Sequence, residues 1–494
     1  MKKIAAKLFA KWVHRKNQKW IDNPLESQEK TMADLVVKAQ KTQFGKDHSF
    51  DTISDYDSFQ KAIPIRNYEE LRPYVDRIVA GEKDILWPGH PLYLAKTSGT
   101  TSGAKYIPIT KESMPTHITA ARDALLNYIH ETGKADFVTG KQIFLQGSPV
   151  LEKKNGLALG RLSGIVAHYV PSYLQTNRMP SWDTNCIEDW ETKVEAIVEE
   201  TVKERMTLIA GIPSWVQMYF ERLKQKEKKD VGAIFPDFSL FVYGGVNFRP
   251  YKALFESLIG RKVDSVELFP ASEGFFAYQD NQKEEGMLLL LNNDIFYEFI
   301  EVDTFFSEAP RRLSLKDVKV GVNYVLILNT SAGLWGYNIG DTVQFVSTKP
   351  YRIVVSGRIK HFISAFGEHV IGKEVESALQ EALIGNSVSV REFTVAPQIA
   401  PENGLPYHEW FIDFEAAPER PQEFALALDE AMRKQNIYYD DLIRGKVLQP
   451  AVVTQIEEGG FETYMKSVGR LGGQNKVPRL MNDRSIADAL TQKV

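Results

Sequence analysis

Apolar side chains recur at helical spacing from the first residues: Ile4, Leu8, Phe9, Trp12 and Val13 fall on one side of a predicted amphipathic helix. Lys7 and Lys11 interrupt the stretch, so it lacks the apolar run of a secretory leader. The pattern predicts a helix docked on its own protein, with attachment to a membrane surface as the alternative. The first ninety residues continue as helices joined by polar connectors. A short strand, 91–96, then enters the segment TSGTTSGAK, and a second strand, 106–109, leaves it.

Beyond this point the period alternates. Val194, Ile197, Val198 and Val202 mark a helix over 190–205, and 207–212 reads as a short apolar strand. Pro213 suits the first turn of a helix with Trp215, Val216, Tyr219, Phe220 and Leu223 on one face. Strand 240–243, a helix after Arg249 and strand 265–269 follow. This alternation predicts a parallel sheet covered by helices. From Met287 to Ser356 the runs MLLLL, IFYEFIEV, YVLIL, TVQFV and YRIVV, with short turns, predict an antiparallel meander or barrel. After Gly357 the order is helix, two strands, helix, strand, helix. The predicted fold is therefore α/β. A large N-terminal domain, 1–356, combines parallel sheets and helices with a β-barrel-like portion, and a smaller α+β C-terminal domain spans 357–494.

A length of 494 residues exceeds one ordinary core and agrees with two domains. The balance of 60 basic against 64 acidic side chains, net −4, gives no general affinity for nucleic acid, so any phosphate binding must be local. No later run of about 18 apolar residues suggests a membrane span. Cys186, the single cysteine, excludes an intramolecular disulfide and a Cys-rich zinc site, and points to a reducing, cytoplasmic setting.

Five segments carry candidate chemistry. In Thr97–Lys105 the glycines Gly99 and Gly103 let the backbone approach an anion closely. The hydroxyls of Thr97, Ser98, Thr100, Thr101 and Ser102 and the loop amides can donate to phosphate oxygens, and Lys105 adds a positive charge. The spacing is not that of a P-loop. Three residues separate the glycines, Tyr106 follows the lysine, and a strand follows where a helix is needed. The second segment, ELFPASEGFF, ends a predicted strand; Ser272 offers a hydroxyl and Glu273 a hard oxygen ligand suited to Mg²⁺, with a helix cap as the alternative. In the third, GLWGYNIGDTVQF, Asp341 can hold a pair of sugar hydroxyls or serve as a turn residue. The fourth is SGRIKHFISAFGEHV. The fifth, GRLGGQNKVPRL, carries Lys476, otherwise a solvated surface lysine.

Together and in this order, the segments resemble the adenylate-forming superfamily of acyl-CoA synthetases, luciferases and peptide-synthetase adenylation domains. Within it, TSGTTSGAKYIP is similar to the phosphate loop of the acyl-acid amido synthetases, the auxin- and jasmonate-conjugating enzymes of plants and their bacterial relatives. The resemblance runs from about Glu69 to Leu480. It implies that Thr97 to Lys105 hold the ATP phosphates and that the VYGGV strand end, with Gly245 and Val246, borders the adenine. It further implies that Phe269 stacks on adenine, Ser272 touches the α-phosphate, Glu273 binds magnesium, and Asp341 and Arg358 contact ribose. Lys476 is then the mobile lysine that reaches the acyl carboxylate and α-phosphate. Departures from the pattern are Pro270 and Ala271 beside the adenine position, Asn338 where plant members carry Arg, and Lys360 where many relatives have a hinge Asp.

The implied chemistry is adenylation of a carboxylic acid, with ATP and Mg²⁺ as cofactors, then transfer to an amino acid amine. Transfer to a thiol such as coenzyme A, in an acyl-CoA synthetase, is the first alternative, and a non-catalytic nucleotide-binding scaffold the second. The resemblance also implies a C-terminal domain that rotates between the two half-reactions. For the acyl pocket the apolar segments 160–174 and 211–220 are the candidates, with Leu162, His168 and Trp215 among the lining residues. His168 has a core or surface role as its competing reading.

Overall fold

The computed structural model describes the chain except residues 98–104, 171–174, 246–247, 249–251, 360–361, 364–369, 385–387, 400, 402, 445–446, 472–475, 482 and 492–494, and the side chains of 214, 358, 362–363, 437–438 and 441. Two compact units emerge: Met1–Val246 with Leu258–Val354, and Asn247–Ser257 with Val355–Val494.

The first unit is organised by one sheet of eleven strands, whose last strand, Tyr351–Arg358, runs out of the unit. In one half, strands Lys141–Phe144, Met206–Ala210, Leu240–Gly244 and Asp264–Ala271 run parallel and pair in that order. The helices Trp190–Thr201 and Pro213–Glu227 fall where the apolar periods predict them, and Trp215, Val216, Tyr219, Phe220 and Leu223 are all buried. The other half is an antiparallel meander of Ile295–Glu301, Asn323–Thr330, Tyr337–Thr348 and Tyr351–Arg358. The meander does not stand apart as a barrel; Met287–Leu289 and Gly274–Tyr278 join it edge to edge with the parallel half. A second sheet pairs Tyr93–Thr97 with Lys105–Ile109 antiparallel and with Leu157–Gly160 parallel.

Beneath the meander sits a buried ion pair. Glu298 is fully buried and meets Arg312 at 2.5 Å, while Tyr56 and Asn329 donate to the same carboxylate at 3.0 Å. Arg312 also donates to the carbonyls of Gln60 and Ile63, fastening the N-terminal helices to the sheet.

The N-terminal helix, Lys2–Asp22, docks on the helix Ser113–Thr132, but not through the face the sequence suggests. Ala10, Val13, Asn17 and Trp20 are buried, whereas Ile4, Leu8 and Trp12 are exposed. Asn17 looks polar in a periodicity count, yet its amide donates to Asp123 at 3.1 Å, so it belongs to the docked face.

The second unit is α+β. Strands Ser389–Gln398, Tyr407–Ala416 and Val452–Ile456 form a sheet, with the first pair antiparallel and the second parallel. Helices Gly372–Leu383 and Pro421–Gln435 bury Val375, Leu379, Leu428 and Met432 in a core with Trp410 and Ile412. No helix among the described residues is long and apolar enough to cross a membrane.

Candidate active site

The parallel strands end in register. Phe144 pairs with Ala210, Ala210 with Val242, and Gly244 with Leu268, so the segments leaving them share one edge of the sheet. Such carboxyl edges are where open α/β sheets bind ligands. Gly244 lies so close to the next strand that a Cβ there would stand 2.5 Å from the Leu268 carbonyl oxygen, and Gly245 follows with φ +82°. Only glycine fits both demands. Val246 lies outside the described residues.

Ser272 and Glu273 form the two-residue tip of a hairpin between Asp264–Ala271 and Gly274–Tyr278, with Ala271 opposite Gly274. The helix-cap alternative therefore falls away. Both tip residues are buried, Ser272 at 6% and Glu273 at 9% exposure. The Tyr337 hydroxyl approaches Glu273 Oε1 at 3.4 Å.

Asp341 lies inside the strand Tyr337–Thr348, not in a turn. Asn338 pairs with Ile327 and Thr342 with Val325, so residues 339–341 stand opposite Leu326 alone. Gly340 supplies φ +88° for this bulge, and its amide is held by Asn338 Oδ1 at 2.8 Å. Bulges re-aim side chains next to functional sites. Asp341 is only 9% exposed.

The candidate phosphate loop closes the hairpin between Tyr93–Thr97 and Lys105–Ile109, with Thr97 opposite Lys105. Ser98, Gly99, Thr100, Thr101, Ser102 and Gly103 lie outside the described residues. The Lys105 ammonium rests 5.5 Å from the centre of the Tyr68 ring, and the Tyr106 amide donates to the Tyr68 hydroxyl at 2.8 Å. Two residues before Tyr68, the Arg66 amide donates to Gly336 O and its carbonyl accepts from the Asn338 amide, both at 2.8 Å. Thr110 Oγ1 donates to Ser331 O at 2.8 Å, a second joint between this hairpin and the meander.

Arg66, Tyr68 and Tyr337 thus tie the loop hairpin, the Ser272–Glu273 tip and the Asp341 strand into one neighbourhood. Sequence reading missed all three, because their partners are 38 to 272 positions away or made through the backbone.

The two acyl-pocket segments meet at the loop after Phe144. A Cβ on Gly164 would stand 2.5 Å from Ser148 O, and one on Gly211 would meet Leu145 and Val216 at 3.0 Å. Leu162 opens the helix Leu162–Ala167, and Trp215 is buried against Trp190, ring centres 4.5 Å apart. Gln146 Nε2 on this loop and Ser163 Oγ on the helix beside it are buried without a hydrogen-bond partner among the described residues. Polar groups of that kind suit an incoming carboxylate or amide. His168 is occupied differently: its Nε2 is 2.9 Å from Pro149 O and its ring meets the edge of Trp182. Phe269 is packed in the core, 7% exposed, against Phe276 at 5.0 Å.

Comparison with known families decides the assignment. The GH3 family N-terminal domain matches residues 14–263, the GH3 central domain 288–358 and the GH3 C-terminal domain 373–485. The chain belongs to the GH3 family. Two similar GH3 relatives are plant enzymes. Indole-3-acetic acid-amido synthetase GH3.4 of Arabidopsis thaliana is 23% identical, covering 96% of this chain and 92% of its own. Jasmonoyl–L-amino acid synthetase JAR4 of Nicotiana attenuata is 21% identical, covering 82% of both. Among solved structures, GH3.15 acyl acid amido synthetase with 2,4-DB superposes with TM-score 0.80 at 17% identity, over 97% of this chain and 95% of that one. A 2-hydroxyisobutyryl-CoA ligase in its postadenylation state superposes at 0.60 with 12% identity, over 93% and 90%. The last two likenesses show that the GH3 chain has the adenylate-forming fold.

The remaining candidates lie in or at the second unit of this GH3 chain. Arg358 closes the strand Tyr351–Arg358. Lys476 is exposed, two residues before Pro478, whose carbonyl accepts from Thr394 Oγ1 at 2.6 Å.

Proposed function

We propose that this protein is an ATP-dependent acid–amino acid ligase that activates a carboxylic acid as an acyl-adenylate and transfers the acyl group to an amino acid amine. The observation that carries this reading is the convergence, through Arg66–Tyr68 and Tyr337, of three parts: the loop hairpin, the buried Glu273 tip and the bulged Asp341 strand. Membership of a family whose matched relatives are named amido synthetases supports the amine as acceptor.

The chemistry divides into two displacements. A substrate carboxylate oxygen attacks the α-phosphorus of ATP and the bond to pyrophosphate breaks. The amine nitrogen then attacks the acyl carbonyl carbon, AMP leaves, and the nitrogen gives up a proton. Approach of one anion to another requires positive charge and donors at the α-phosphate, the largest single contribution such a site makes. Lys105 and the loop amides serve the outer phosphates, Ser272 Oγ the α-phosphate, and Lys476 the carboxylate–phosphate junction. Asp341, aimed by its bulge, accepts from the ribose hydroxyls, and Gly244–Gly245 leave room for the adenine, with Phe269 behind them.

Magnesium fits these residues in a particular way. Among the described residues no group of three metal-ligating side chains occurs, while Glu273 presents one buried carboxylate beside Tyr337. Mg²⁺ on a nucleotide takes one or two carboxylates and fills its other positions with phosphate and water. Bound there, it would neutralise charge on the phosphates. The unit containing 357–494 acts as the mobile domain that brings Lys476 to the first step, and the enzyme works in the cytoplasm.

Hydroxylamine tests the assignment. With ATP and a suitable acid it should yield a hydroxamate without any natural acceptor, and amino acids should then give amide. Hydroxamate formation with thioester but no amide would make the chain an acyl-CoA synthetase instead. ATP binding with no pyrophosphate release would make it a scaffold.

A further inference from the structure

The helix Lys2–Asp22 has two apolar faces, and the chain uses only one. Ala10, Val13 and Trp20 pack inward with Asn17, and the rings of His14 and His130 stack 3.7 Å apart, which fixes the helix on the body of the protein. On the outward side Ile4, Leu8 and Trp12, spaced one turn apart, are 58 to 66% exposed. Phe9, 5.8 Å from Trp12, widens this stripe. At helical spacing Lys7 and Lys11 border it, and Arg15 and Lys19 continue the same side toward the C-terminal end, all four exposed.

The charge of this helix opposes that of the whole chain. Lys2–Asp22 holds seven lysines and arginines against the single Asp22, net +6, in a protein of net −4. Apart from Lys3, which pairs with Asp136, the cations do little for the helix itself. Lys2 and Lys3 occupy a first turn without an acidic residue, where the macrodipole disfavours cations. An apolar stripe with aromatic members, ringed by cations and rigidly mounted, matches an anionic lipid surface. A second copy of this chain matches it poorly, because a symmetric contact would set one +6 helix against another.

We propose that the outer face of Lys2–Asp22 is an interfacial anchor that seats the protein on anionic membranes. Ile4, Leu8 and Trp12 enter the boundary between headgroups and acyl chains, and Lys7, Lys11, Arg15 and Lys19 pair with lipid phosphates. The anchor is independent of the active-site assignment, and either can fail alone.

Co-sedimentation of the full chain with vesicles tests this. Binding is expected to phosphatidylcholine vesicles containing about a third phosphatidylglycerol, weaker by about tenfold or more on phosphatidylcholine alone, and reduced by high salt. The double substitution Leu8→Glu with Trp12→Glu should lower binding at least about tenfold while the melting temperature stays unchanged, because both side chains are exposed. Replacing Lys7, Lys11 and Arg15 by Gln should remove the preference for anionic vesicles. The proposal is overturned if the unmodified chain stays in the supernatant with anionic vesicles, or if the glutamate variant binds as well as the parent. It is equally overturned if the stripe mediates a dimer that those substitutions break while no vesicle binding occurs.

Discussion

The Tyr337 hydroxyl stands 3.4 Å from Glu273 Oε1, joining the tip of one hairpin to the strand that bears Asp341. Both residues are buried, so the contact helps fix the carboxylate to which the proposed mechanism assigns the nucleotide-bound cation. Glu273→Gln is expected to lower adenylation about a hundredfold, the scale of losing one electrostatic partner of the transition state. Tyr337→Phe keeps the ring and removes only the hydroxyl. It should raise the Mg²⁺ concentration for half-maximal activity a few fold, with the melting temperature changed little. Magnesium titrations of the two variants check this, and an unchanged Mg²⁺ dependence in both would remove Glu273 from the metal role.

Lys476 is exposed, so its loss should leave the fold intact. Lys476→Ala is expected to cut pyrophosphate exchange by about a hundredfold, with kcat and kcat/KM falling together, because the proposed mechanism assigns its contact to the transition state. Steady-state kinetics decide the point. A raised KM with near-native kcat would mean that the lysine binds only ground-state ATP.

The Glu298–Arg312 pair lies beneath the meander, with Glu298 fully buried and Tyr56 and Asn329 on the same carboxylate. Removing one partner strands the other charge away from water. Glu298→Ala should therefore destabilise the first unit by about 3–5 kcal/mol. Denaturant melts monitored in that unit test this, and a loss below about 1 kcal/mol would show that Arg312 finds water or another partner.

His117 is buried on the helix Ser113–Thr132, and both ring nitrogens lack partners among the described residues. Desolvation pushes its pKa down to about 4 from 6.5. Below about pH 6.5 the unfolded chain takes up a proton that the folded chain refuses, so stability falls as pH drops toward 4, by about 1.4 kcal/mol per pH unit. His117→Leu removes that proton uptake. Between pH 7.5 and pH 5 the variant should gain about 2 kcal/mol relative to the parent. Urea melts at the two pH values measure the difference, and a constant offset would contradict a neutral buried imidazole.

Much of the fold was legible because its strands are short continuous apolar runs and its helices carry one-sided stripes. Leu240–Gly244 and the face of Pro213–Glu227 are examples. Other features follow from contacts that no local period encodes. The bulge that aims Asp341 breaks the two-residue alternation without leaving a polar mark. The tip at Ser272–Glu273 reads equally as a helix cap until its two strands are paired. Asn17 and Ile4 exchange the roles their hydropathy suggests: Asn17 is buried because Asp123 on the partner helix accepts from its amide, while Ile4 stays exposed. For the candidate site, residue chemistry singled out Glu273, Asp341 and Lys105 as candidates. The residues that gather them, Arg66, Tyr68 and Tyr337, are ordinary in sequence and were visible only in three dimensions.

The most direct test of the adenylation account is acid-dependent exchange of labelled pyrophosphate into ATP, run on a panel of aromatic and aliphatic carboxylic acids. The account predicts exchange that requires both Mg²⁺ and an acid, is lost in Glu273→Gln, and is followed by amide formation when amino acids are added. Tight ATP binding with no exchange for any acid, in protein that is otherwise folded, would contradict it.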